Sequence, residues 1–158
     1  MADLRVGLGF DSHPPAEGRD LLLGGVRFEG EPGLAGHSDA DVVCHALADA
    51  LLGAAGLGDV GEHFPETDPA TEGLGGIDLL SRALELLREA GYAPDSCDLV
   101  VVADRPHLAG ARAEMREKLG AALRLGADRV SVKATRPEGL GLRGEGIGCL
   151  AVAVVRSA

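Results

Sequence analysis

The chain has 158 residues, 46% of them apolar and only 3% aromatic, with a formal net charge of −10. That length and composition predict one globular domain over 1–158 with a core of Ala, Leu and Val, and exclude a disordered chain. The acidic balance argues against nucleic acid as the main partner, but a metal ion could still supply local positive charge for a phosphorylated substrate. Cys44, Cys97 and Cys149 form no CxxC pair, which predicts small buried thiols in a reducing, cytoplasmic setting. No apolar stretch is long enough to span a bilayer and no N-terminal targeting signal is visible, so no membrane partner is expected.

In chain order, residues 4–10 read as a strand carrying glycines. Residues 21–23 and 26–28 flank Gly24-Gly25 and predict a small β-hairpin. Residues 30–36 form a loop, after which Ser38 is a plausible N-cap of a helix running to about Gly56, with Asp41 read as a second cap or as a residue that orients the site. Val42, Ala46, Leu47, Ala50 and Leu51 would be its core stripe, while Asp41, His45 and Asp49 fall one turn apart on another face. Residues 56–76 show no periodic apolar pattern and predict a long, functional or mobile loop. A helix is expected over 77–90, a buried strand over 97–104, a helix over 111–125, and strands over 129–135 and 147–156. This order predicts an α/β protein of the α+β type. It has a mixed four- to five-stranded sheet with helices on one face, the other face being covered by further copies of the chain.

Three residues carry the first chemical signal. Asp11 and His13 are two apart at the end of a strand, so they share a face. His45 lies on the helix that follows. A carboxylate and two imidazoles without paired cysteines suit a catalytic zinc with an open coordination position. A single His is more often an ordinary surface residue; the set on adjoining elements favours metal. His37-Ser38 precedes the helix, where exposed amides and the helix dipole would favour a phosphate. The segment Asp59-Val60-Gly61, followed by Phe64-Pro65-Glu66-Thr67-Asp68, has carboxylates suited to the hydroxyls of a polyol, although composition alone favours a solvated acidic loop. His63 reads as a plain loop residue. Leaving a strand end, Lys133 and Arg136 could neutralise phosphate charge, and Glu138 could hold a magnesium ion bridging phosphates.

Taken together these blocks resemble the 2-C-methyl-D-erythritol 2,4-cyclodiphosphate synthase family of the non-mevalonate pathway to isoprenoid (terpenoid) precursors. The resemblance runs from Arg5 to about Val155. It rests on Gly9-Phe10-Asp11-Ser12-His13, on His37-Ser38-Asp39-Ala40-Asp41 with His45-Ala46-Leu47, and on Gly58-Asp59-Val60-Gly61 and Phe64-Pro65-Glu66-Thr67-Asp68. It closes with Val132-Lys133-Ala134-Thr135 and Gly144-Glu145-Gly146-Ile147.

The resemblance implies a lyase that closes a cyclic diphosphate by attack of a 2-phosphate on the β-phosphorus of a cytidine diphosphate substrate, releasing CMP. It implies a homotrimer packed around its sheets, with sites between subunits. One zinc per subunit would sit on Asp11, His13 and His45, and Mg²⁺ or Mn²⁺ on Glu138. His37 and Arg136 take the places of catalytic residues. Substrate would meet Asp11, Ser12 and His13, His37-Ser38, the 59–61 and 64–68 segments, Thr135, Arg136 and Glu138. Ala103, Pro106, Leu108 and Ala109 would shape the cytosine pocket, mainly through backbone groups, and Leu142 and Arg143 would complete the contacts.

Two departures stand out. Residues 135–138 read Thr-Arg-Pro-Glu where the family carries a run of threonines, so Arg136 occupies a threonine position. The 141–146 loop is shorter by about two residues, by eye alignment; Arg143 and Glu145 would line the trimer axis there. Two other readings use the same residues: a zinc phosphohydrolase with water as nucleophile, and a trimeric, metal-stabilised binding protein for isoprenoid diphosphates.

Overall fold

Tight backbone approach sets the architecture. Gly7 and Gly9 lie on β1 (Leu4–His13), where a Cβ would come within 1.9 Å of the Ala50 and Ala46 carbonyl oxygens of α1 (Val42–Ala55). Two side chains reduced to hydrogen let the helix lie directly on the strand, which a core poor in aromatic residues requires. Gly9→Ala should therefore lower the unfolding free energy by about 2–3 kcal/mol through overpacking. Urea denaturation would measure this, and an unchanged midpoint would refute the close approach.

The computed structural model describes residues 3–139 and 146–158. Besides β1 and α1 these form β2 (Pro15–Ala16), β3 (Leu21–Leu23), β4 (Val26–Phe28) and β5 (Gly33–Leu34). They continue with α2 (Val60–His63), α3 (Gly76–Glu89), β6 (Tyr92–Val102), α4 (Arg112–Leu123), β7 (Val130–Thr135) and β8 (Ile147–Ser157). The main sheet has four strands in the order β1-β8-β6-β7. The pairs β1/β8 and β8/β6 are antiparallel, while β6 and β7, joined through α4, are parallel. The mixed sheet and the β3–β4 hairpin match the sequence reading; β2 and β5 add a two-residue ladder.

Strand alternation sorts the two faces. Cys97, Leu99 and Val101 of β6, Val130 and Val132 of β7, and Ile147, Cys149, Ala151, Ala153 and Val155 of β8 are buried, and α1, α3 and α4 pack on the sheet. The other face exposes Leu4, Val6, Leu8 and Phe10 of β1 with Leu150 and Val152 of β8. All three cysteines are free and buried; burial pushes the Cys97 thiol up to about 12 and the other two upward as well. Among the described residues no helix is long and apolar enough to cross a membrane.

Three expectations need correction. α1 does not start at Ser38: its N-cap is Asp41, whose carboxylate accepts from the Val43 and Cys44 amides. Nor is α1 simply amphipathic, since α3 covers what the sheet leaves open and both sides of the helix are apolar. Residues 56–76 are not featureless: Asp59 caps α2, and Asp68 caps a 3-10 turn at Pro69–Thr71. Side-chain capping organises that segment, which has too few apolar residues for a periodic signal.

Candidate active site

At its C-terminal end β1 carries Asp11 and His13 on one face, two residues apart. His45, on the second turn of α1, meets them from the helix layer. His13 Nε2 and His45 Nδ1 each lie 3.1 Å from Asp11 Oδ2. One ligand atom from each residue can be chosen so that all lie within 4.8 Å of one another. The three side chains are partly buried, between 14% and 24% exposed, so they are held in place yet reachable.

Burial alone would raise the Asp11 pKa. The hydrogen bonds and charge of His13 and His45 outweigh it and hold the carboxyl well below the usual carboxylate range. His13 shifts upward, through its bond to Asp11 against the opposing effect of burial, with a backbone hydrogen bond to Ala35 adding to the rise. An ionised carboxylate and two imidazoles aimed at one point form a donor set that fits a divalent cation such as zinc.

The triad lines a cleft of about 790 Å³. Its walls include His37, Ser38, Asp59, Val60, Gly61, Phe64, Pro65, Glu66, Thr67 and Asp68, all singled out in the sequence. Ser38 Oγ is 3.3 Å from His45 Nε2, and His37 Nε2 faces Glu66 across the mouth at 3.4 Å. Asp59 and Asp68 also bond backbone amides of their own turns. His63 lies outside the cleft lining, its ring nitrogen 2.7 Å from the Leu57 carbonyl oxygen. The phosphate site expected on the α1 N-terminus is corrected here: Asp41 already occupies two of its first amides, so His37 and Ser38 offer their own side chains and not a free helix end.

The cleft also has residues that the sequence reading left unassigned. Asp49, one turn beyond His45, accepts from the Val60 amide at 2.7 Å and so pins the start of the 60–76 segment; burial raises its pKa, opposed by that bond. Its spacing from His45 was the available signal. Thr71, Leu74 and Leu79 also line the wall, and no local pattern marks them.

Other candidates are not brought to this cleft within one chain. Ser12 alternates to the opposite face of β1 from Asp11 and His13 and is exposed. Ala103, Pro106, Leu108 and Ala109 follow β6, while Thr135, Arg136 and Glu138 end or follow β7. The two sets adjoin because β6 and β7 are parallel, and the Ala103 amide donates to the Thr135 carbonyl at 3.1 Å. Leu108 is 3% exposed, so its side chain belongs to the core and the expected contact there falls to its backbone. Arg136 and Glu138 are exposed. Leu142, Arg143 and Glu145 lie outside the described residues.

Comparison with known proteins agrees with this geometry. The 2-C-methyl-D-erythritol 2,4-cyclodiphosphate synthase of Symbiobacterium thermophilum is 53% identical over 152 residues, spanning 95% of this chain and 97% of its own length. A solved structure of 2C-methyl-D-erythritol-2,4-cyclodiphosphate synthase in its CDP-bound form superposes with a TM-score of 0.89 at 38% identity, covering 96% of this chain and 99% of that one. The bifunctional IspDF of Campylobacter jejuni matches all of this chain over 43% of its own, with a TM-score of 0.94 and 39% identity. A profile of the YgbB family matches residues 4–156, and the chain belongs to that family.

Proposed function

We infer that this protein performs the reaction for which its curated relatives are named. It converts 4-diphosphocytidyl-2-C-methyl-D-erythritol 2-phosphate to 2-C-methyl-D-erythritol 2,4-cyclodiphosphate and CMP, a step of the non-mevalonate route to isoprenoid precursors. The observation that carries this reading is the Asp11–His13–His45 triad inside a cleft whose walls are the family segments 37–38, 59–61 and 64–68.

The chemistry asks little proton transfer of the protein. An oxygen of the 2-phosphate, already an anion, forms the new P–O bond at the β-phosphorus. The bond from that phosphorus to the oxygen bridging toward cytidine breaks, and CMP leaves with the electron pair. Charge repulsion and in-line geometry are the obstacles. Bound zinc on the triad, with Mg²⁺ or Mn²⁺ on Glu138, would supply Lewis-acid charge to the phosphates. His37 and Ser38 orient the phosphate end and Asp59 the polyol hydroxyls. Arg136, in the segment a neighbouring copy would bring to the cleft, would add a guanidinium to the developing charge.

The exposed apolar stripe of β1 and β8 supports a homotrimer packed through its sheets. The separation of the triad cleft from the 103–109 and 135–138 segments supports a site completed by a neighbouring copy, where those segments would receive cytidine and diphosphate. The buried free cysteines accord with a cytoplasmic enzyme.

The test is phosphorus NMR of purified protein with the substrate, Zn²⁺ and Mg²⁺. Stoichiometric cyclic diphosphate and CMP are expected. Open-chain phosphate products without the ring would instead establish a hydrolase.

A further inference from the structure

Arg19 has no place in the chemistry above, yet it grips the chain on both sides of His37. Its Nη1 donates to the Gly36 carbonyl at 2.6 Å, and its Nη2 donates to the Ser38 carbonyl. Among the described residues no carboxylate pairs with this half-buried guanidinium. Both fork arms go to carbonyls two residues apart, a use for which a planar guanidinium is suited and an ammonium is not.

The surroundings are built for this grip. Gly33 on β5 has no room for a side chain: a Cβ there would lie 2.5 Å from the Arg19 carbonyl oxygen and 2.7 Å from the Arg19 Cβ. Gly36 is also tight, its missing Cβ falling 3.3 Å from His13 Cε1 and 3.1 Å from the Ala40 Cβ. Ala40, at the far end of the turn, holds φ at 55°, a left-handed conformation that a non-glycine residue adopts only when its surroundings impose it. Asp39 ties the same turn to the start of α3 by accepting from the Gly76 amide at 2.8 Å. The strained turn that leads from β5 into the helix of His45 is thus clamped from behind by Arg19 and anchored to α3 by Asp39.

We propose that Arg19 is a positioning residue for catalysis: by fixing the carbonyls of Gly36 and Ser38 it sets the direction in which His37 and Ser38 face the cleft. The proposal rests on the cyclisation reading for its kinetic arm and on the loop itself for its structural arm. Arg19 touches neither cleft nor triad, so its effect must pass through residues 36–38. That gives it a signature that general destabilisation lacks, because two groups acting through one element are non-additive.

The experiment is a mutant cycle on the metal-loaded enzyme, with kcat/KM for cyclic diphosphate formation as the readout. Arg19→Ala should lower kcat/KM at least tenfold in the native background, and less than twofold in a His37→Ala/Ser38→Ala background. Arg19→Lys, which keeps the charge but reaches one carbonyl at a time, should fall between. In parallel, hydrogen exchange of ligand-free protein should quicken at residues 36–39 in Arg19→Ala while the α3 and β8 amides stay protected, which also verifies folding. Equal losses in both backgrounds would assign Arg19 a merely structural role and overturn the proposal. So would unchanged kcat/KM, or unchanged exchange at 36–39. If the native enzyme forms no cyclic product, the cyclisation reading fails by itself and the exchange arm alone decides whether Arg19 holds the loop.

Discussion

His45→Ala is expected to abolish both tight metal binding and turnover while leaving the fold intact. The imidazole reaches Asp11 Oδ2 from the helix layer, whereas Asp11 and His13 both come from β1. Removing it takes away the one ligand that closes the site across two elements. Two ligands on a single strand can still meet a cation, but they leave it open to water and exchange. Lewis-acid stabilisation of several kcal/mol is at stake, so kcat should fall on the order of 10³-fold. Metal content after dialysis, read by elemental analysis, should drop from about one equivalent per chain to well below half if the triad is the zinc site. His63→Ala, which alters a ring outside the cleft, is the matched control and should keep its metal. Thermal melting of His45→Ala compared with the metal-free native protein separates lost metal from lost packing. Full metal occupancy with full activity would refute the site, and loss of assembly in parallel with loss of metal would favour a metal-stabilised binding protein over an enzyme.

What could be read from the chain alone divides along a physical line. Asp11, His13 and His45 were legible because strand and helix periodicities act locally: i, i+2 on a strand places two ligands on one face, and a following helix supplies the third. The β6–α4–β7 unit was legible for the same reason, since a continuous apolar strand, a helix and an alternating strand each declare themselves. The helix start was not. Ser38 and Asp41 are both good N-cap types, and the choice was made by Gly24 and Gly25, whose amides bond the Asp41 carboxylate from a hairpin seventeen and sixteen residues away. Arg19 was illegible because its partners are backbone carbonyls, which carry no residue code. The 60–76 segment hid its order because its turns are held by Asp49, Asp59 and Asp68, side chains that read as a solvated acidic loop until their amide partners are known. The separation of the cytosine-side residues from the triad within one chain had no local signal; it was foreshadowed only by the resemblance, which implies sites between subunits.

Asp41→Ala is expected to be among the most destabilising single substitutions in the chain. The Asp41 side chain is fully buried, and its two oxygens accept from four amides. Oδ1 takes the Gly24, Val43 and Cys44 N–H groups, and Oδ2 takes Gly25. Burial raises its pKa while these amides oppose the rise. The residue therefore caps α1 and closes the turn of the β3–β4 hairpin at once. Alanine would remove the cap and strand the hairpin amides in the core. A lost cap accounts for about 1 kcal/mol and stranded buried donors for about 1–3 kcal/mol each, so a total near 4 kcal/mol is expected after partial relaxation. For a domain of this size that corresponds to a fall of about 10 °C in Tm. Asp41→Asn discriminates the cause. Its carbonyl can keep the three bonds of Oδ1, while its amide would meet the Gly25 N–H donor to donor, so about half of the loss is expected. Urea unfolding of both variants measures the two steps. An Asn variant as damaged as the Ala variant would mean that the negative charge, rather than the geometry of acceptance, holds the hairpin to the helix. An Ala variant within about 1 kcal/mol of the native protein would mean that neither does, because a loss that small is no more than the helix cap alone.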